Sequence, residues 1–277
     1  MKREEGFFEG VRGLRIYRQC WLPEGEPKAV LLIVHGLGEH CGRYTNVVNH
    51  LVPRGYALYG LDHVGHGRSE GAREYVERFE DFVDTLDTYR GIVAQAQPDK
   101  PLFLYGHSMG GLITASYLLD RQAGLAGAIL SAALTRVPEN ISAATVAVGR
   151  VLSRLVPKAG VLALDVTGVS RDPAVVQAYV DDPLVFHGKT PARLSAELLR
   201  AMQRITAEAS KITLPVFILQ GSGDRLVNPG DARFLHGAVG SVDKTLKVYD
   251  GLYHEAHNEP ERATVLGDVE AWLAAHA

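Results

Sequence analysis

Residues 102–119 run from an apolar stretch through a tight glycine turn into a helix-forming stretch, and few folds accommodate that succession. The apolar part is Leu102, Phe103, Leu104 and Tyr105; the turn is Gly106-His107-Ser108-Met109-Gly110-Gly111; Leu112, Ile113, Thr114 and Ala115 follow. A Gly-x-Ser-x-Gly pattern has chemical meaning when a buried strand precedes it and a helix follows. Glycines on either side remove the Cβ atoms that would strike strand and helix, and the serine sits on a strained backbone with its hydroxyl outward. That presentation predicts a nucleophile at Ser108. The same five positions also arise by chance in ordinary strand-to-helix turns, so the prediction requires a base, an acid to orient it and donors for an oxyanion elsewhere in the chain.

The rest of the sequence reads as the sheet such a turn belongs to. Residues 6–22 read as two short strands joined at Arg12-Gly13, and 29–34 is a continuous aliphatic run of the kind found in strands buried on both faces. A helix over 44–51 closes at Pro53 and Gly55, a strand follows at 56–59, and 79–96 carries Phe82, Leu86, Tyr89 and Val93 on one helical face. Another buried run lies at 125–130. Strands alternating with helices over short connections predict an α/β fold with a mostly parallel central sheet and helices on both faces.

From about Leu134 to Ser210 the alternation stops, and no strand-like run is read there. Two amphipathic pieces stand out, Ala144, Val148, Val151, Leu152 and Leu155 in one and Leu194, Leu198, Met202 and Ile205 in the other, punctuated by Pro157, Pro173, Pro183 and Pro191. Such a segment is too long and too apolar for a loop in a compact domain. The expected organisation is a core domain over 1–133 and 211–277 interrupted by a helical cap over 134–210. Strand 214–219, a helix near 231–239, strand 246–249 and a closing helix over 261–275 complete the core.

Ligand sites on parallel sheets lie at the carboxyl edge of the strands, so the partners of Ser108 are sought in loops there. Of eleven histidines, His254 directly follows the final strand and comes last in the order nucleophile, acid, histidine. Asp224 is the first carboxylate beyond strand 214–219, placed to accept the Nδ1 hydrogen of His254 and steady the imidazolium. Asp231, at a helix start, and Asp250, on the far side of its turn, compete for that role. His63 and His66 share a loop, but nothing at ligand spacing completes a metal set. His107 is expected to point away from the Ser108 hydroxyl, and His257 either lines the site or caps the last helix. Backbone N–H groups of Met109 and of Leu37, in the loop after strand 29–34, are the expected oxyanion donors, each capable of contributing on the order of 3 kcal/mol to the transition state. The scheme requires no cofactor and no metal.

Composition narrows the remaining classes. At 46% hydrophobic and 22% charged residues with a net charge of −3, and with no basic run, the chain carries no footprint for nucleic acid. Cys20 and Cys41 cannot build a disulfide framework and are expected reduced. The amino terminus lacks an apolar signal region and no stretch is long enough to span a bilayer, so a cytoplasmic location is expected.

Several blocks together resemble one family. His35-Gly36-Leu37-Gly38-Glu39-His40 with Gly42-Arg43-Tyr44, Asp62-His63-Val64-Gly65-His66-Gly67-Arg68-Ser69, Gly106-His107-Ser108-Met109-Gly110-Gly111, Gly221-Ser222-Gly223-Asp224-Arg225-Leu226-Val227 and Tyr253-His254 are similar to the monoacylglycerol lipase group of α/β-hydrolases, over nearly the whole chain. The resemblance implies the α/β-hydrolase fold, a cap over the site and hydrolysis of a single fatty acyl ester of glycerol. It also implies that Tyr179, in Tyr179-Val180-Asp181-Asp182-Pro183-Leu184, lies near the glycerol end of the pocket, and that Glu39 supports the oxyanion loop. Within the cap, Val146, Val148, Val151 and Leu152 either roof an acyl tunnel, where each buried CH₂ is worth roughly 0.8 kcal/mol, or pack onto the sheet domain. An apolar cap exterior would also touch lipid surfaces transiently. A broad carboxylesterase, a lysophospholipase and a non-catalytic relative that binds a ligand remain the alternatives; the oligomeric state is open.

Overall fold

Residues 1–138 and 141–277 are described by a computed structural model. Strands β1 (Lys2–Glu9) and β2 (Arg15–Leu22) form an antiparallel hairpin, followed by β3 (Ala29–Val34), helix α1 (Thr45–Leu51), β4 (Tyr56–Leu61), α2 (Glu80–Ala96), β5 (Leu102–His107), α3 (Met109–Leu118) and β6 (Gly127–Ser131). Then come α4 (Ala143–Leu155), β7 (Gly160–Leu162), α5 (Pro173–Asp181), β8 (Thr190–Pro191), α6 (Ala192–Glu208), β9 (Val216–Gly221), α7 (Gly230–Ala238), β10 (Lys244–Tyr249) and α8 (Arg262–His276). The main sheet has eight strands in the order β1-β2-β4-β3-β5-β6-β9-β10, parallel from β4 onward. β1 starts earlier than its hydrophobic pattern predicted. Its first residues, Lys2 to Glu5, are charged and exposed, and only their pairing with Leu22 to Gln19 makes them strand.

Alternation along β3 divides the core. Val30, Leu32 and Val34 join a cluster with Phe82 of α2, Leu112 of α3 and Leu235 of α7, whereas Ala29, Leu31 and Ile33 face Val47 of α1 and Val269 of α8. The register aligns the carboxyl ends of the strands: Val34 lies beside Gly106, His107 beside Ser131, and Tyr249 beside Gly221. Every loop leaving those ends therefore emerges on one edge.

The segment 134–210 departs from the sequence reading in two ways; residues 139 and 140 within it lie outside the described residues. It holds an antiparallel ribbon, β7 with β8, where no strand was expected, because two- and three-residue strands leave no periodic trace. α6 is also less separate than an insertion implies, since Leu194, Leu198, Met202 and Ile205 belong to the same buried cluster as α2 and α3. α4 packs along α6, and its buried positions are Val146 and Ser153. Val148, Val151, Leu152 and Leu155 are exposed by 58%, 54%, 37% and 75%, so packing onto the sheet domain fails for the first three, which were considered for it. Among the described residues no helix is long and apolar enough to cross a membrane.

Candidate active site

Ser108 joins β5 to α3 with φ 55° and ψ −119°, a conformation an L-residue adopts only when its surroundings impose it. Those surroundings leave no room for side chains beside it. A Cβ on Gly110 would stand 1.9 Å from the Val34 carbonyl oxygen, and one on Gly106 would stand 2.4 Å from Thr114 Oγ1. The elbow is held by its backbone: Ser108 N–H donates to the Ser131 carbonyl at 2.9 Å, while the Ser108 carbonyl accepts from Leu112 at 3.1 Å and Leu134 at 3.2 Å.

Asp224 lies past the end of β9 and His254 past the end of β10, so the aligned register brings two distant loops together. His254 Nδ1 is 2.8 Å from Asp224 Oδ2, which also accepts from Gln220 Nε2 at 2.7 Å; Asp224 Oδ1 accepts from Leu226 and Val227 N–H at 2.8 and 3.0 Å. Burial works against the charged form of Asp224, but His254 and these donors outweigh it and hold the carboxyl below its usual range. Burial likewise opposes protonation of His254, and the Asp224 carboxylate reverses that, leaving the imidazole more basic than an ordinary one. The competing acids go elsewhere: Asp250 accepts from Ser222 Oγ at 3.1 Å, and Asp231 sits in the first turn of α7, 3.8 Å from Arg136. Among the described residues no hydrogen bond joins Ser108 Oγ to His254, though the preceding residue's ring, His107, packs on that of His254 with centroids 4.7 Å apart. Such bonds often close only around substrate.

The loop after β3 packs against Ser108, since a Cβ on Gly36 would be 3.3 Å from Ser108 Cβ. Leu37 is partly buried in this loop and Met109 is buried at the start of α3. Glu39 braces the loop through Oε1, which accepts from Gly36 N–H at 2.6 Å and Tyr44 OH at 2.8 Å. Sequence reasoning missed what lies behind it. Arg43, almost fully buried, bonds Glu39 Oε2 at 2.7 Å and grips both oxygens of Glu255 at 2.6 and 2.9 Å, tying the loop after β3 to the residue following His254. Burial raises both carboxyls, but Arg43 overcomes this at Glu255 and brings it down to about 2, whereas Glu39 stays above the normal range. Only the Arg43-x-x-x spacing from Glu39 was visible in sequence; the partner lies 212 residues away.

The rings of His63 and His66 pack at a tilt against that of His35, with centroids 4.1 and 5.5 Å away, and His63 N–H donates to His35 Nε2 at 2.9 Å. Burial pushes His63 down to about 3 and His66 to about 4, which keeps them neutral. Among the described residues no group of three or more His, Cys, Asp or Glu is arranged to hold a metal ion. His257 is not the cap of α8, whose N-cap is Glu261; it is buried, stacked on Tyr44 at 5.0 Å and edge-on to His107 at 5.0 Å. Cys20 and Cys41 are both free and buried.

Residues of 134–210 reach this edge at several points. Phe186 N–H donates to the Gly38 carbonyl at 2.8 Å, His40 Nε2 meets Asp182 Oδ2 at 2.8 Å, and Tyr179 is buried with its ring under the Arg43 guanidinium at 4.4 Å. A cavity of about 280 Å³ is lined by Leu134, whose N–H bonds the Ser108 carbonyl, and by Val137, Pro138, Leu226 and Val227 with Arg136, Asn228 and Asp231.

The chain has relatives among known proteins. The family described as serine aminopeptidase, S33, matches residues 25–261. A monoacylglycerol lipase of Mycolicibacterium smegmatis is 40% identical over 99% of this chain and 98% of its own length. A monoglyceride lipase of Rattus norvegicus is 36% identical over 95% of this chain and 88% of its own. The crystal structure of a Paleococcus ferrophilus monoacylglycerol lipase superposes with a TM-score of 0.84 at 30% identity, covering 95% of this chain and 99% of that one.

Proposed function

As the chain belongs to the serine aminopeptidase S33 family and has the α/β-hydrolase fold of its structural relatives, we propose that this serine hydrolase cleaves monoacylglycerols to fatty acid and glycerol. The observation that carries the reading is the Asp224–His254 bond of 2.8 Å at the strand edge where Ser108 is held in a strained turn. Ser108 attacks the ester carbonyl while His254 takes its proton; Asp224 fixes the imidazole tautomer and stabilises the imidazolium. The developing oxyanion is held by the N–H groups of Leu37 and Met109. His254 then returns the proton to the departing alcohol, and a water activated by the same ring releases the fatty acid from Ser108. None of these steps calls on a cofactor. The apolar wall of Leu134, Val137, Leu226 and Val227 beside the elbow suits an acyl chain. A rate profile over mono-, di- and triacylglycerols of varied chain length is expected to peak at a monoacylglycerol. Faster turnover of short aryl esters than of any monoacylglycerol would make the enzyme a broad carboxylesterase instead.

Segment 134–210 acts as the cap in this reading, and its exposed apolar face gives it a second task. Val148, Val151, Leu152 and Leu155 of α4 lie exposed, as do Val161 and Leu162 of β7, an apolar surface that suits transient contact with a lipid interface from which the substrate is drawn. The protein is then cytoplasmic and peripheral, with its two thiols reduced. Sedimentation with phosphatidylcholine vesicles is expected to retain the native protein and to lose at least several-fold of it on Val151→Asp with Leu155→Asp. Equal retention of both would remove α4 from the account.

A further inference from the structure

His35 is a fully buried histidine that no step above uses. It follows β3 directly and opens the loop that carries Leu37. Its two ring nitrogens have distinct partners, and each partner independently settles where the ring hydrogen lies. Nε2 is 2.9 Å from the His63 backbone nitrogen, which can only donate, so Nε2 accepts and the hydrogen sits on Nδ1. Nδ1 in turn is 2.8 Å from the Gly36 carbonyl oxygen, which can only accept. The ring is held in that pose from behind: the His63 ring packs against it, and His63 Nε2 donates to the His35 carbonyl at 3.1 Å. Burial, with His63 and His66 beside it, pushes protonation of His35 well below the ordinary imidazole range, so Nε2 stays open to its backbone donor.

The Gly36 carbonyl is one end of a planar peptide whose other end is the Leu37 N–H, so fixing the oxygen fixes the direction of that hydrogen. Gly36 offers no Cβ to resist rotation of this peptide. Glu39 holds the Gly36 N–H, which belongs to the peptide before it. The Leu37 N–H itself donates to no group among the described residues. Building on the proposed hydrolysis, in which Leu37 supplies an oxyanion donor, we propose that His35 is a positioning residue: its ring holds the Gly36 carbonyl and so aims the Leu37 N–H at the oxyanion formed when Ser108 attacks. His35 touches no reacting atom. What it contributes is a donor already oriented when charge develops, and that contribution depends on a hydrogen at the place of Nδ1 and not on the bulk of the ring.

The test uses p-nitrophenyl laurate, whose hydrolysis needs the oxyanion donors whichever ester the enzyme prefers. His35→Asn brings an amide N–H to about the place of Nδ1, and His35→Gln carries the same amide one methylene farther, toward the place of Nε2. His35→Gln is expected to lower kcat about a hundredfold with KM within about twofold, whereas His35→Asn recovers kcat to within about fivefold of native. Affinity for a long-chain trifluoromethyl ketone, whose adduct with Ser108 carries an oxyanion, is expected to fall in step with kcat. Equal losses in the two variants, or a kcat loss that leaves ketone affinity untouched, would make His35 a structural residue and overturn the inference. Long-range proton–nitrogen NMR of the native histidine rings needs no variant to fold: a His35 hydrogen on Nδ1 supports the inference, and one on Nε2 overturns it. Native enzyme that cleaves the aryl ester but no monoacylglycerol overturns the substrate reading alone, whereas native turnover of both with His35→Gln at the native rate overturns this inference alone.

Discussion

Ser108→Ala is expected to lower ester turnover on the order of a million-fold while leaving the thermal transition where it was. The reasoning is local. The hydroxyl makes no hydrogen bond to His254 among the described residues, and the elbow is held by backbone bonds to Ser131, Leu112 and Leu134, so the fold loses nothing when the oxygen goes. Alanine would keep the same φ of 55° at similar cost. What remains is binding and oxyanion stabilisation without a nucleophile, and a residual rate within a hundredfold of native would place the attacking group elsewhere. Single-turnover measurements on purified variant, with circular dichroism melts alongside, supply both numbers.

Asp224→Asn should cost about ten-thousand-fold in kcat, because an amide in this place donates to the histidine instead of accepting from it and so favours the wrong tautomer. The pH profile gives a sharper signature than the rate. As the proposed base, His254 must be neutral to act, and Asp224 makes its imidazolium easier to form, so kcat/KM is expected to fall as the pH drops through a value above the ordinary imidazole range. Asparagine removes that support while burial, which opposes protonation, stays. The acidic limb of the variant is therefore expected at lower pH than that of the native enzyme. A limb that stays in place would detach Asp224 from the titrating base.

The sheet was legible because its residues obey short-range periods. Ala29 to Val34 is apolar throughout and so is buried on both faces, and the glycine turn around Ser108 is contiguous in sequence. Asp224 and His254 were found by the order in which a parallel sheet delivers loops to one edge, and the structure places their side chains in contact. Periodicity says which residues share a face and not which way the face turns. The stripe on α4 was read correctly as a stripe, but it is the face holding Val146 and Ser153 that is buried. Pairings across long separations leave no signal in one sequence, so Arg43 with Glu255 and Glu74 with Thr190 had to be seen in space.

The Arg43 cluster bears on how this site can change by descent. One buried cation serves two buried carboxylates, so removing Arg43 strands both at a cost of about 3–5 kcal/mol, a large part of what a domain has to spare, whereas removing Glu39 leaves the Arg43–Glu255 pair intact. Replacing all three by apolar residues of similar volume is far less costly, yet every path to that state passes through a stranded intermediate. Arg43 and Glu255 are thus expected to be retained as a pair. Arg43, behind the loop after β3, and Glu255, the residue after His254, are therefore expected to limit each other's drift although 212 residues separate them.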